Sequence, residues 1–277
     1  MQETQKVAIL DLYNGAANQG MKNIQEILQR QSITSGVNLQ YDIFDVRQKE
    51  EVPNIKDYDI YISTGGPGSP FEGEGKIWEK NYFNWLENIY NFNQKNYESK
   101  KYAFFICHSF QMICRFFEVG KVCKRKSISF GIFPVHHTPA GWKEPFFMEL
   151  PEPFYAVDNR HWQVIEPNHQ KLNDLGAQIL ALEKERPHVN LERAIMAIRF
   201  SDELFAVQFH PEACPEGMQN YFQNPEKKKE IIASHGEEKY NEMCNYVNDD
   251  DKIILTQKVI IPSFLQNAIN AKQLQFA

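Results

Sequence analysis

Cysteine is scarce in this chain, with five among 277 residues. Their number is odd and their spacing unpatterned, which argues against a disulfide framework and fits reduced thiols in a cytoplasm-like compartment. Excess positive charge is also lacking. Thirty Lys and Arg against 36 Asp and Glu leave a net charge of −6, without the basic stripe of a nucleic-acid-binding surface. No uninterrupted apolar run approaches the roughly 20 residues that span a bilayer. Met1 to Lys6 has no signal-peptide core ahead of the first strand-like run. There is no internal repeat, no long low-complexity linker and no Gly-Lys-Ser/Thr phosphate loop. With 42% apolar and 24% charged residues, the expectation is a soluble cytoplasmic globular protein with no membrane or nucleic-acid partner.

Short apolar runs alternate with helical spacings in the first half. Val7 to Leu12, Leu39 to Phe44, Tyr58 to Ser63 and Tyr102 to Ile106 read as strands. Met21 to Leu28, Ile77 to Tyr97 and Gln111 to Phe117 carry apolar residues at helical intervals. This βαβ alternation predicts an α/β fold with a doubly wound, mostly parallel sheet. From Gly120 the runs shorten to Ile128–Val135, Phe154–Val157, Gln178–Glu183, Ala194–Phe200 and Phe205–Phe209, predicting an antiparallel β addition. After Pro215 come short helices over 217–222, 225–235 and 239–247, then a solvated acidic loop at 248–251. A last helix or helix pair, broken at Pro262, is expected over 253–269. Residues 1–213 are expected to form the main domain, and 214–277 a helical extension packed on it.

Two segments a hundred residues apart carry chemistry. Cys107 lies where the Lys101–Ile106 run meets the helical Gln111–Phe117 pattern. A cysteine at such a turn has its sulfur exposed and its pKa lowered by the helix N-terminus. The helix end also points backbone N–H groups, here that of His108, toward an oxyanion beside the sulfur. The Gly65-Gly66 loop offers a second donor. The run Leu204 to Phe209 ends in His210, with Glu212 two residues on. An imidazole can take and return the thiol proton, and a carboxylate can fix its tautomer. Each segment has a plainer reading: a core cysteine, a turn-capping histidine or an ordinary glycine loop. Cys114 and Cys123 take that plain reading. The His136-His137 pair lacks a third ligand, so no metal is expected.

In order and content these segments resemble the class I glutamine amidotransferases, which use a Cys-His-Glu triad to strip ammonia from glutamine. Ile9-Leu10-Asp11-Leu12-Tyr13 resembles the family's early strand and turn. Ser63-Thr64-Gly65-Gly66-Pro67-Gly68-Ser69 resembles its Ser-Gly-Gly-Pro loop, and Phe105-Ile106-Cys107-His108-Ser109-Phe110-Gln111 its Gly-x-Cys-x-Gly-x-Gln turn. Gln208-Phe209-His210-Pro211-Glu212 is identical to its closing motif. The resemblance spans about Lys6 to Ala213 and is strongest to the glutaminase domain of GMP synthase in its free-standing form. It implies a flavodoxin-like fold of the amidotransferase type. It also implies Cys107 as nucleophile, His210 as acid and base, Glu212 as its orienter, and Gly66 and His108 as backbone oxyanion donors. Gln111 falls at the position that helps hold substrate. Asp158-Asn159-Arg160-His161-Trp162 resembles the His-containing loop facing the glutamine pocket, which would make His161 substrate-binding; a β-turn at the sheet edge is the alternative.

Phe105 and Ser109 replace both elbow glycines, so packing behind Cys107 is expected to be rearranged. His108 adds a second imidazole, expected either to stabilise the thiolate or to point outward. The implied reaction is attack on a γ-glutamyl amide, release of ammonia or an amine, and hydrolysis of a γ-glutamyl thioester, with no cofactor. Glutamine or a γ-glutamyl amide is the expected substrate. No ATP-using domain is encoded, so a separate synthetase subunit would receive the ammonia, or the chain would act alone as a hydrolase. An acyltransferase on the same scaffold and a decayed binding or regulatory protein are the alternatives.

Overall fold

The computed structural model describes residues 3–16, 18–187 and 189–274. The first half runs β1 (Thr4–Asp11), α1 (Gln19–Ser35), β2 (Asn38–Asp45), β3 (Ile60–Ser63), α2 (Ile77–Lys95), β4 (Tyr102–Ile106) and α3 (His108–Phe117). The second half adds β5 (Gly120–His137), β6 (Phe154–Pro167), α4 (His169–Leu175), β7 (Gln178–Glu183), β8 (Ile195–Arg199) and β9 (Leu204–Val207). Four helices close the chain: α5 (Pro215–Gln223), α6 (Pro225–His235), α7 (Glu237–Val247) and α8 (Leu255–Leu274). The described strands form one nine-stranded sheet in the order β2-β1-β3-β4-β9-β8-β7-β5-β6. Pairings from β2 through β9 are parallel, and those from β9 through β6 antiparallel. The expected α/β fold, with a parallel core and an antiparallel addition, is what the chain adopts.

Two apolar faces explain why the sheet is covered on both sides. Phe104, Ile106, Val207 and Phe209 pack with Ile24, Ile27 and Leu28 of α1 and with the apolar side of α8. Ala103, Phe105 and Ala206 pack with α2, α3 and α4 on the other side. Alternate residues of β4 thus enter opposite layers, the period-two rule of a strand buried on both faces. A third cluster seats Met218, Phe222, Ile231, Tyr240 and Met243 of α5 to α7 against Ile132, Phe133 and Val157 of the bent β5–β6 pair.

Four expectations are corrected. The short runs at 128–135 and 154–157 belong to strands of 18 and 14 residues. A register shift between Lys124 and Ser129 breaks the alternation that would have revealed their length. The segment Asp158 to Trp162 therefore lies inside β6 and is neither loop nor turn. Pro262 also fails to interrupt the last helix, which continues from Leu255 to Leu274. Proline inside a helix costs about 3 kcal/mol. Here Val259, Ile260, Ile261, Phe264, Leu265 and Ile269 are all buried on the core, each worth roughly 1.5–3 kcal/mol. Finally, the acidic run enters an irregular helical turn, Asp250–Ile254, kinked at Lys252; Asp250 and Asp251 are solvent-exposed as expected.

Phe105 shows how the elbow tolerates losing its glycine. Its ring is fully buried in the α2–α3 layer, 6.2 Å from the ring of Trp85. Replacing it with alanine leaves a cavity at the back of the nucleophile turn. Phe105→Ala is expected to lower the unfolding free energy by about 3–5 kcal/mol in urea titrations; a loss below about 1 kcal/mol would contradict this packing role.

Candidate active site

The parallel strands end at one edge, where ligands bind in open α/β sheets. β4 and β9 are neighbours, with Ile106 in register with Val207. The residue after β4 and the segment after β9 therefore meet. Cys107 has φ 50° and ψ −95° and stands between β4 and α3. Positive φ in a non-glycine residue costs of order 1–3 kcal/mol and persists only where surroundings enforce it. The enforcement is visible: the Cys107 N–H donates to the Val207 carbonyl at 2.8 Å, and its own carbonyl accepts from the Gln111 N–H at 3.1 Å. Ser109 replaces the glycine with hydrogen bonds. Its Oγ accepts from the Ile106 N–H at 2.7 Å and lies 2.7 Å from the Ser63 carbonyl, so it ties the elbow to β3.

His210 and Cys107 line the same cleft, and a Cβ on Gly65 would lie 3.0 Å from His210 Cε1 and 3.6 Å from Cys107 Cβ, so the two side chains are neighbours beside that glycine. His210 Nδ1 is 2.8 Å from Glu212 Oε1, and Glu212 is buried at 2% exposure. Burial alone would lower the His210 pKa, but Glu212 and Cys107 outweigh it and hold the imidazole well above its ordinary range. Gln257 of α8 donates to the Glu212 main-chain carbonyl at 3.1 Å, so the last helix buttresses this turn. On the glycine loop, a Cβ at Gly65 would stand 3.0 Å from His210 Cε1, and one at Gly66 would collide with the Leu12 carbonyl. Gly66 leaves no room for a side chain, and at Gly65 a side chain would press on the His210 ring. Arg47 braces the loop by donating to the Leu12 and Pro67 carbonyls and pairing with Glu72.

A cleft of about 330 Å³ opens over the sulfur. Gly66, Cys107, His108, Gln111, His161 and His210 all line it, while Glu212 stands behind His210. Gln111 is buried and donates to Gln208 Oε1 at 3.1 Å and, at 3.4 Å, to the Trp162 carbonyl. His161 is exposed at the rim.

His108 departs from both expectations. It neither points outward nor acts as a cation, being 1% exposed with Nε2 unpartnered. Burial, and then the charges of Arg47 and Arg115, push its pKa down to about 3. A buried neutral imidazole follows.

Four residues near the sulfur were missed. Gln208 Nε2 lies 3.7 Å from Cys107 Sγ, and the thiol lies 3.8 Å from the Asn159 carbonyl. Arg160 lines the cleft, its buried guanidinium held by Asp158 at 2.9 Å and Glu183 at 3.5 Å. Tyr13 also lines it; burial, then Glu212 and Cys107, raise its phenol pKa well above normal, keeping the hydroxyl a donor. Each stands inside or beside a quoted motif; the missing signal was which residues of those motifs turn toward the sulfur. His136 and His137 are engaged elsewhere, with His136 Nδ1 2.6 Å from Glu152 and His137 Nε2 3.2 Å from the Pro151 carbonyl. Among the described residues no cluster of His, Cys, Asp or Glu is placed to hold a metal, and no helix is long and apolar enough to cross a membrane.

A cysteine on a strained strand-to-helix turn, with a histidine and carboxylate brought in from the neighbouring parallel strand, defines a class of α/β proteins with a thiol elbow. The chain belongs to the class I glutamine amidotransferase family, whose sequence model ("Glutamine amidotransferase class-I") matches residues 20–229. No curated protein matches it by sequence. Among solved structures, a glutamine amidotransferase from Thermotoga maritima is similar with a TM-score of 0.67 at 14% identity, over 96% of this chain and 98% of that one. A putative GMP synthase subunit from Thermoplasma acidophilum gives 0.55 at 15% identity over 100% of both. The glutaminase domain of Trypanosoma brucei CTPS, solved with bound acivicin, gives 0.57 at 14% identity over 83% and 93%. At these identities the likeness is one of fold.

The two imidazoles make opposite pH predictions. The unfolded chain protonates His108 near 6.5, the folded one near 3. Its contribution to stability is full above pH 6.5 and lost as pH falls toward 3. In an NMR titration the His108 ring signals are expected to stay in the neutral form from pH 8 to 5. A midpoint between 6 and 7 would contradict the buried neutral assignment.

Proposed function

We propose that the protein hydrolyses a γ-glutamyl amide through a Cys107 thioester. The observation that carries this reading is that Cys107, on a strained elbow, and His210, paired with Glu212, stand together in one cleft of small-molecule size. Cys107 Sγ adds to the amide carbon, and the backbone N–H groups of Gly66 and His108 receive the developing oxyanion. The C–N bond breaks as His210 gives its proton to the departing nitrogen, releasing ammonia or an amine. Water then adds to the thioester, losing a proton to His210, and the C–S bond breaks to leave glutamate and the free thiol. Glu212 keeps Nδ1 of His210 protonated throughout.

On the acyl side, Arg160 supplies a fixed cation for the substrate α-carboxylate. Gln111 presents polar atoms toward the same end, and His161 closes the rim. Gln208 and the Asn159 carbonyl orient the sulfur. The hydrogen bonds of Ser109 favour an active elbow over a decayed one, because they restore the constraint that glycine would otherwise allow. We further infer a cytoplasmic setting, supported by five free thiols, and a main unit over 1–213 with 214–277 as its helical extension. Ammonia transfer to a separate synthetase subunit remains part of the reading when glutamine itself is the substrate.

Cys107→Ala is expected to remove glutamate formation from glutamine or from γ-glutamyl amides by roughly a thousandfold or more. Glu212→Gln is expected to lower kcat by about 10²–10⁴-fold, with the protein still folded. Enzyme-coupled glutamate detection checks both. A Cys107→Ala variant of full activity would remove the nucleophile assignment.

A further inference from the structure

A second cavity, of about 320 Å³, lies on the far side of His210 from the acyl end of the cleft. The two share Tyr13, Asn18, Asn159 and His210 along their boundary. Its walls are mainly apolar: Phe130 and Val157 from the bent β5–β6 pair, Ala213, and Met218 and Tyr221 from α5. Tyr221 stacks on Phe130 with centroids 4.5 Å apart, and Met218 is 8% exposed. Gln19 and Asn23 of α1 supply a polar edge. Glu212 Oε2 belongs to a carboxylate that lines this cavity, and it is buried without a partner.

The chemistry of the step decides what such a cavity can hold. The acyl part of a γ-glutamyl amide must reach the Arg160–Gln111 side of Cys107. The departing nitrogen takes its proton from His210, so its substituent must extend past His210. With free glutamine the leaving group is ammonia, which leaves this space empty. Helix α5, which lies in the C-terminal part of the chain, supplies one wall of this space.

We propose that this cavity is an amine subsite, and that the preferred substrates are γ-glutamyl amides carrying an aromatic or branched apolar amine. The proposal rests on the γ-glutamyl amide reading above. In it the Sγ–C bond forms, the C–N bond breaks, and the freed amine takes the His210 proton while its apolar group sits against Phe130, Met218 and Tyr221. Burial of a ring in a preformed apolar pocket adds to transition-state binding, where ammonia release gains nothing.

The test compares kcat/KM for L-glutamine and L-γ-glutamyl-phenethylamide, in the wild-type protein and in two variants. Met218→Trp fills the cavity and Tyr221→Ala opens it. The wild type is expected to favour the phenethylamide by about tenfold or more. Both variants are expected to reduce that preference by at least about fivefold, read as the ratio between the two substrates. Having one filling and one opening variant protects the result against a single misfolded protein. A wild-type preference for glutamine, or a ratio that neither variant changes, would overturn the amine subsite and leave the nucleophile reading intact. Cleavage of neither substrate would overturn both.

Discussion

The backbone at Cys107 sits at φ 50°, a conformation that an L-residue with a side chain avoids unless its neighbours hold it there. Everything else in the site depends on that turn. It lifts the sulfur out of the β4–α3 layer boundary and puts the first turn of α3 behind it. It also brings the thiol within reach of a histidine that follows the adjacent strand. The restraints come from three directions: the Val207 carbonyl on β9, the Gln111 N–H one helical turn on, and Ser109 bonded to β3. A family glycine at 109 would relax the turn by its freedom. Ser109 holds it by hydrogen bonds instead, and Phe105 fills the space behind.

The same site treats its two imidazoles oppositely, and the difference comes from their neighbours. His108 is enclosed near Arg47 and Arg115, so burial and like charge both favour the neutral ring. His210 is also enclosed, but it faces Glu212 and Cys107, whose charges overcome the burial penalty. One buried ring is held neutral and the other is held protonatable. Arg160 adds a third electrostatic element, a buried cation pinned by Asp158 and Glu183.

Much of this was legible from residues alone, because the informative features were local. The apolar run before Cys107 marked a buried parallel strand, and Ser63 to Ser69 marked the loop after β3. The run before His210 was legible as a strand, but it was expected in the antiparallel addition and instead pairs in parallel with β4. What was not legible required long-range information. The β5–β6 pair hides its length behind a register shift, so Asp158 to Trp162 looked like a loop and Arg160 passed unnoticed beside His161. Pro262 carried a strong local signal against helix continuity, and tertiary burial of α8 overrode it. The fate of His108 depended on burial first, and then on Arg47 and Arg115, 61 and 7 positions away in the chain, which no local pattern reports. The amine-side cavity likewise forms only when α5 folds back over β5 and β6.

The central claim is that one thiol of five is a nucleophile shaped for a γ-glutamyl carbon. The most direct measurement is peptide mapping after stoichiometric treatment with diazo-oxo-norleucine, a glutamine-shaped alkylator. The expected result is a single adduct on Cys107, formed rapidly and blocked by excess substrate, with Cys114, Cys123, Cys214 and Cys244 unmodified. An unmodified Cys107, or labelling spread evenly over the five cysteines, would contradict the account.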